Sequence, residues 1–568
     1  MERVEVLKGP GTLMYGISPT GAVGGNINIV TKRAGDEPLT RFTTTYESKS
    51  ILGGHLDMGR RFGEQNRWGL RFNGVYKNGD TTLDDGKQQY GFGALALDYR
   101  GTKLRWSVDA YSQHEEVDNF RSQNGFTPTI TDIPDAPSGH RAIYDGTELL
   151  IRDSTIASRL EYDISDKVMV YAAGGYRYGA TEQDFPAARG PAAVDANGNL
   201  TATNAWYDAY SRTRTGEIGT RMRFDTLGVK HTLSLSATRL EQEQGNFFLN
   251  DPTEIGIPTN IYNPRPLNPM TGHRATPSKS SDTELTSFSI TDTLSFLNDR
   301  ILITGGLRRQ SVALDNFNLE TGARTSSYDE DATSPLAGFV VKPLENVSVY
   351  ANYTSGLTRG GVAPATAANA GEIFPPFKSK QYEGGVKVDW GRAITSISVF
   401  QIDRPNSITD PTTQIYSFDG EQRNRGVELA AFGEAVPGLR LMASATFYDA
   451  TLHRTAGGVN EGNDANGVPK HAFNLGVDWD TPWVQGLSLN ARAIHTSAIP
   501  FNATNTLELP SWTRFDVGAR YATEINGRSV VFRANVENLF NRDYWLASGT
   551  FATVAAPRTV LLSAQIDF

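Results

Sequence analysis

His114, Glu115 and Glu116 put an imidazole and two carboxylates side by side, the donor types that hold a divalent metal. The same triplet, where a strand runs into a long connection, also reads as a solvated loop mouth, and this is the reading adopted. The eight histidines are otherwise scattered and no HExxH pair occurs. The complete absence of cysteine removes thiolate metal sites and cysteine nucleophiles. No arrangement of nucleophile, base and orienting acid emerges, so an enzyme is not expected. With 54 basic against 63 acidic residues the net charge is −9, which leaves no basic footprint for a nucleic-acid partner.

The elements that would position any site are strands. The hydrophobic share is 39%, yet no run is long and apolar enough for a membrane helix, which needs about 20 such residues. Segments from about Thr40 to the end alternate with period two, the pattern of a strand with two unlike faces. In the last one, Val560, Leu562, Ala564, Ile566 and Phe568 share a face, and Thr559, Leu561, Ser563, Gln565 and Asp567 share the other. Val530, Phe532, Ala534 and Val536 alternate likewise with Ser529, Val531, Arg533, Asn535 and Glu537.

A soluble β-sandwich also alternates, so connection lengths carry the distinction. Short turns at 100–103, 163–167, 298–300, 343–346 and 525–528 are expected to alternate strictly with long connections at 116–146, 182–210, 244–282, 357–378 and 541–557. That asymmetry, with strands exceeding ten residues, fits an all-β transmembrane antiparallel barrel of about 22 strands in a bacterial outer membrane. Tyr46, Trp68, Tyr99, Trp390, Trp479 and Trp483 fall at strand ends, where interfacial girdles form. A propeller would repeat at a fixed blade length, and no such repeat is found.

Residues 2–33 differ from everything after them: strand ERVEV, turn KGP, a brief turn or helix at Thr12 to Tyr15 in LMYG, a Pro-Gly-rich loop, then strand GGNINIVTKR. Order and spacing over this stretch resemble the second half of the plug domain of TonB-dependent receptors. VENLFNRDYW, from Val536 to Trp545, and the closing PRTVLLSAQIDF resemble the last strands of the same family. The terminal Phe568 resembles the signal that such barrels present to their assembly machinery. The resemblance divides the chain into the end of a plug at 1–38, a remnant of the N-terminal plug domain, and a transmembrane β-barrel at 39–568. Members carry a signal peptide, a TonB box and the first part of the plug before ERVEV; MERVEVLKGPGTLMYG has no cationic and apolar leader, so none is expected at this point.

The resemblance implies a receptor that binds a ferric siderophore and imports it with energy from TonB, acting through the N-terminal region that precedes ERVEV in the family, with coupling expected to be impaired or absent in this chain. The iron is already satisfied by its chelator, so no metal ligands and no cofactor are implied. Partners are the ferric siderophore, TonB and outer-membrane lipid, and the protein is expected to be a monomer. Tyr15 takes the plug-apex position that contacts the ligand in the family. Outer-loop aromatics complete the expected site: Phe120, Phe126, Trp206, Phe247, Tyr544, Trp545 and Phe551, with Tyr207, Phe248 and Tyr262 as further candidates. Lumen-facing Arg105, Asp109, Arg533 and Glu537 are expected to face water where the plug does not reach. A passive porin-like channel, or a receptor for cobalamin or a glycan, remains the alternative.

Overall fold

The computed structural model describes residues 1–17, 23–186, 193–252, 256–364 and 366–568. From Leu39 onward, 22 antiparallel strands close into one barrel, sealed where Thr559–Asp567 pairs on one side with Arg528–Glu537 and on the other with Leu39–Glu47. Closure leaves no unpaired edge, which a sheet in hydrocarbon requires because no water is there to satisfy free N–H and C=O groups. Arg41 adds a bidentate pair to Asp567 across the seam, at 2.6 and 2.7 Å.

The alternation read from the sequence sets the two faces. Leu475, Phe515, Phe532 and Leu562 project outward and are exposed to the bilayer. Phe568 is also exposed, with the Arg528 guanidinium 4.6 Å from its ring centre. At the short-turn end Trp68 packs on Tyr99 at 4.9 Å and Trp479 on Trp483 at 4.9 Å, while Trp390 bonds Thr395; Tyr46 lies at the opposite end. These positions suit rings that keep one edge wet and bury the other.

The short turns fall as expected, but the strict alternation of short with long does not hold. On the long-loop side the connections at 48–50, 81–86, 318–323 and 410–415 are also short. The reason is strand length. Ala205–Thr226 and Val229–Asn250 have 22 residues each. At about 3.3 Å per residue and a tilt of about 45°, such strands rise about 50 Å, roughly twice an apolar band of about 25 Å. Hairpins therefore continue as sheet beyond the membrane and close there with tight turns.

Inside the barrel, Arg3–Lys8 pairs antiparallel with Gly25–Val30, and a single helical turn, Thr12–Tyr15, lies between them. The Pro-Gly-rich loop expected here falls at residues 18–22, outside the described residues. The strap that leads out to the first barrel strand is held by charge. Asp57, fully buried, receives Lys32 Nζ at 2.5 Å and Arg71 at 2.5 and 2.8 Å. Arg33 grips Asp109 with both guanidinium nitrogens, and the carbonyl of Ala34 accepts from Arg61 at 3.2 Å and Arg100 at 3.3 Å.

The lumen charges expected to face water are all paired, although Arg105 and Glu537 stay about 40% exposed. Asp109 holds the strap, Arg105 binds Glu161 and Asp163, Arg533 donates to Gln565, and Glu537 accepts from Arg514. Cross-strand neighbours about 5 Å apart pair within the wall whether or not anything fills the lumen.

Candidate ligand-binding vestibule

The helical turn is anchored to the barrel wall by groups that must be satisfied once buried. Thr12 Oγ1 accepts the Leu357 N–H at 2.8 Å, the Leu13 carbonyl accepts Arg308 Nη1 at 3.1 Å, and Ile17 N–H donates to Gln310 Oε1 at 3.2 Å. Arg308 is itself buried and spends its other nitrogens on Ser287 and Thr238 hydroxyls. Ile17 seals the joint in a small apolar core with Leu285, Val312, Leu314, Tyr328 and Leu357. Small residues permit the approach: a Cβ on Gly306 would lie 2.7 Å from Leu13, and one on Gly356 would lie 2.6 Å from Pro10.

Tyr15 stands at the end of this turn, its ring folded over Gly11 and 38% of its surface exposed. Partial burial raises its phenol above the ordinary value, so it stays a neutral donor at physiological pH. Toward the long-loop end of the barrel stand two sets of aromatic rings. The register that puts Glu217 opposite Thr238, whose hydroxyl binds Arg308 in the lumen, turns Tyr207 and Phe248 inward as well. Those two rings meet edge to face at 6.2 Å, and Phe185 and Phe120 continue the row.

The second set, Phe374, Phe377, Tyr416 and Phe418, has ring centres 4.8 to 5.6 Å apart. It is tied to the plug apex through Gly360, whose N–H donates to Tyr328 at 3.2 Å, and through Gly361, where a Cβ would lie 3.3 Å from Phe418 and from the Tyr416 hydroxyl. No signal in the sequence pointed to this set, because Phe377 opens the strand Phe377–Asp389, Phe374 lies in the loop before it, and Tyr416 and Phe418 open the strand Tyr416–Val436, brought together only by the barrel.

Several residues expected at the site lie in other surroundings. The same alternation that faces Tyr207 and Phe248 inward sends Trp206 and Phe247 to the outer side of the wall. There Trp206 donates to Asp184 at 3.1 Å beneath Arg274, which also pairs with Asp208 at 2.6 Å. Phe126 and Trp545 belong to a loop core with Ile143, Tyr144, Val194, Leu200, Ile261, Ile499, Phe501 and Leu509. Phe126 lies 5.3 Å from Phe501 and 5.4 Å from Trp545, and the buried indole of Trp545 donates to the Pro134 carbonyl at 2.8 Å. Tyr544 is buried, stacked on Trp512 at 4.6 Å. Tyr262 donates to the Asp135 carbonyl, and Phe551 is half-buried in a hairpin against Trp545–Ser548. Phe126, Tyr262, Tyr544, Trp545 and Phe551 belong to long outer connections that pack together as a roof at that end of the barrel. His114 and Glu116 face outward, bonded at 3.1 Å, whereas Glu115 points the other way to Gln88, so strand alternation divides the triplet.

A closed 22-strand barrel with a plug segment anchored in its lumen beneath a packed loop roof is the architecture of a plugged outer-membrane receptor. The chain belongs to the TonB-dependent receptor family: the family model described as "TonB dependent receptor-like, beta-barrel" matches residues 15–539. It is similar to the ferrichrome receptor FcuA of Yersinia enterocolitica, 36% identical over 587 residues, which span all of this chain and 76% of that protein. It is 24% identical to the ferrichrome outer membrane transporter/phage receptor of Escherichia coli K12, over 96% of this chain and 75% of that one. The crystal structure of BauA, the ferric preacinetobactin receptor of Acinetobacter baumannii, superposes with a TM-score of 0.94 at 38% identity, covering all of this chain and 85% of that one.

Proposed function

We propose that this receptor binds a ferric siderophore in the vestibule above Tyr15 and passes it unchanged to the periplasm with energy delivered by TonB. The observation that carries the reading is the helical turn anchored in the lumen with Tyr15 exposed at its end, in a barrel whose long-loop end carries the aromatic sets Tyr207–Phe248 and Phe374–Tyr416–Phe418. Recognition by aromatic faces and a few fixed donors suits a chelate whose metal is already saturated. The likeness to FcuA and BauA makes ferrichrome and ferric preacinetobactin the first ligands to try. In this reading the protein is not an enzyme, because the ligand is bound and moved without a bond being made or broken.

Intrinsic tryptophan fluorescence of the purified receptor, titrated with each ferric chelate, tests it. Saturable quenching by at least one is expected. In Tyr15→Ala the affinity should fall about tenfold, the worth of one aromatic contact of roughly 1.4 kcal/mol. Tyr15→Phe should recover most of it. No saturable binding of either chelate, or Tyr15→Ala binding as tightly as the parent, would refute the site.

A further inference from the structure

The barrel wall is not hydrogen-bonded evenly up to its outer rim. The strand Arg324–Leu344 pairs with Ile301–Phe317 along nearly its whole length, but with Val347–Thr358 only from Leu336 toward the short turn. Above that point no strand pairs with its second side among the described residues. The ladder parts at Pro335, which has no N–H to give and whose carbonyl takes the Ser355 hydroxyl at 3.0 Å. Pro335 thus turns its backbone to the open side, and the register with Ile301–Phe317 shifts nowhere between Pro335 and Ser326. Residues of the same parity, Ser327, Asp329, Asp331 and Thr333, therefore present N–H and C=O to that side as well. These backbone groups bond nothing among the described residues. Buried groups of this kind are nearly always paired, so these are hydrated.

From Thr333 upward this edge stands about 25 Å or more above the short-turn end of its strand, clear of the apolar band. It faces along the wall, and the exposed side chains of Ser327, Asp329 and Asp331 share the parity of the bilayer-facing Phe339, away from the lumen that the plug occupies. A free edge in water is a template for another chain. Charge selects which. Asp331 pairs with Arg309 at 2.7 Å, whereas its neighbours Asp329 and Glu330 make no ion pair among the described residues. A second copy of the edge, laid antiparallel on the first, would set acid against acid, and like charges directly opposite destabilise a sheet. A basic strand meets no such opposition. We infer that the edge from Ser327 to Thr333 is a docking site for an extended polypeptide segment with alternating basic residues, which adds a strand to the wall from outside. Main-chain hydrogen bonds hold the segment, and the acids select its side chains.

A short fluorescent peptide alternating lysine and threonine, titrated into the purified full-length receptor, is the probe. Saturable binding is expected, weakening as salt is raised because the charges are screened. The same peptide with its edge-facing amides N-methylated, or with glutamate in place of lysine, should bind about tenfold more weakly or worse. Ser327→Pro removes one edge N–H and no ladder bond, as Pro335 already does, and should cost about tenfold in affinity with the thermal transition unchanged. Asp329→Lys leaves the backbone intact and should lower affinity for the lysine peptide while raising it for the glutamate peptide. No saturable binding, equal binding of the N-methylated peptide, or equal binding to both variants would overturn the site. A receptor that dimerises in detergent and is returned to monomer by Ser327→Pro would give the edge to a second copy and reject the peptide.

Discussion

Asp57→Ala should release the strap between plug and barrel and leave the barrel itself closed. Both carboxylate oxygens of Asp57 are used, one by Arg71 at 2.5 Å and the other by Lys32 at 2.5 Å and Arg71 at 2.8 Å, and none of the residue is exposed. Removing one member of a buried charge cluster costs about 3–5 kcal/mol, because the partners are left as unpaired buried cations. Here two cations lose their counter-charge at once. Lys32 belongs to the strap and Arg71 also donates to the Arg33 carbonyl at 3.1 Å, so the cost falls on the segment 32–34. Two contacts survive, Arg33 on Asp109 and the Ala34 carbonyl beneath Arg61 and Arg100. The outcome is thus local opening, at a free energy below that of global unfolding. Limited trypsinolysis reads it directly, since Lys32 and Arg33 are the scissile residues. Cleavage there should rise by about two orders of magnitude, a shift of about 3 kcal/mol. Asp57→Asn, which keeps the shape and loses the charge, should lie between. A strap equally protected in Asp57→Ala would show that Asp109 and the Ala34 carbonyl suffice to hold it.

Asp57 also marks where reading residues in order stops being informative. Alternation, strand length and turn chemistry are local properties, and they placed the barrel, its short turns and the first strand near Thr40, where Leu39–Glu47 begins. Asp57 and Arg308 are polar residues on a face expected to be polar, so nothing distinguishes them from hydrated neighbours until the plug segment lies on them. The strict short–long pattern fails for a related reason: beside 318–323 and 410–415 the strands run on past the membrane and close in tight turns, so connection length there does not tell the two ends of the barrel apart. The same extension decides the fate of Trp206. Its place in a long connection marked it as a loop aromatic, yet Ala205–Thr226 is continuous sheet, so its side is fixed by parity with Glu217 and it faces outward. Tyr207, one residue on, takes the inward place. Tyr15 stands at the exposed end of an anchored turn, where the plug resemblance put it. The Phe374 set was illegible because it is assembled from segments forty residues apart in sequence that meet only in the closed barrel.

Trp545→Ala is the substitution expected to cost the vestibule most, and it acts through the roof. The indole is 3% exposed, its N–H is spent on the Pro134 carbonyl at 2.8 Å, and Phe126 packs edge-on against its ring at 5.4 Å. Truncating a buried Trp costs about 3–5 kcal/mol in lost burial and cavity formation. The Pro134 carbonyl also loses its donor, adding about 1–3 kcal/mol if water does not reach it. The loop core joins segments around Ile143, Val194, Leu200, Ile261, Ile499 and Leu509, which are held together by this cluster and not by the barrel ladder. Removing its central ring should therefore loosen the whole roof while the 22-strand ladder below keeps its thermal transition. Proteinase K should cut the long outer connections several-fold faster in the variant, with the heat-resistant barrel band unchanged. Ligand affinity should fall in parallel with that loss of protection, because a roof that must first order itself charges the binding step with the ordering free energy. This separates packing from contact. Were Trp545 a ligand contact, the variant would bind weakly with its loops still protected. Trp545→Phe, which refills most of the core and forfeits the Pro134 bond, should restore protection and affinity together.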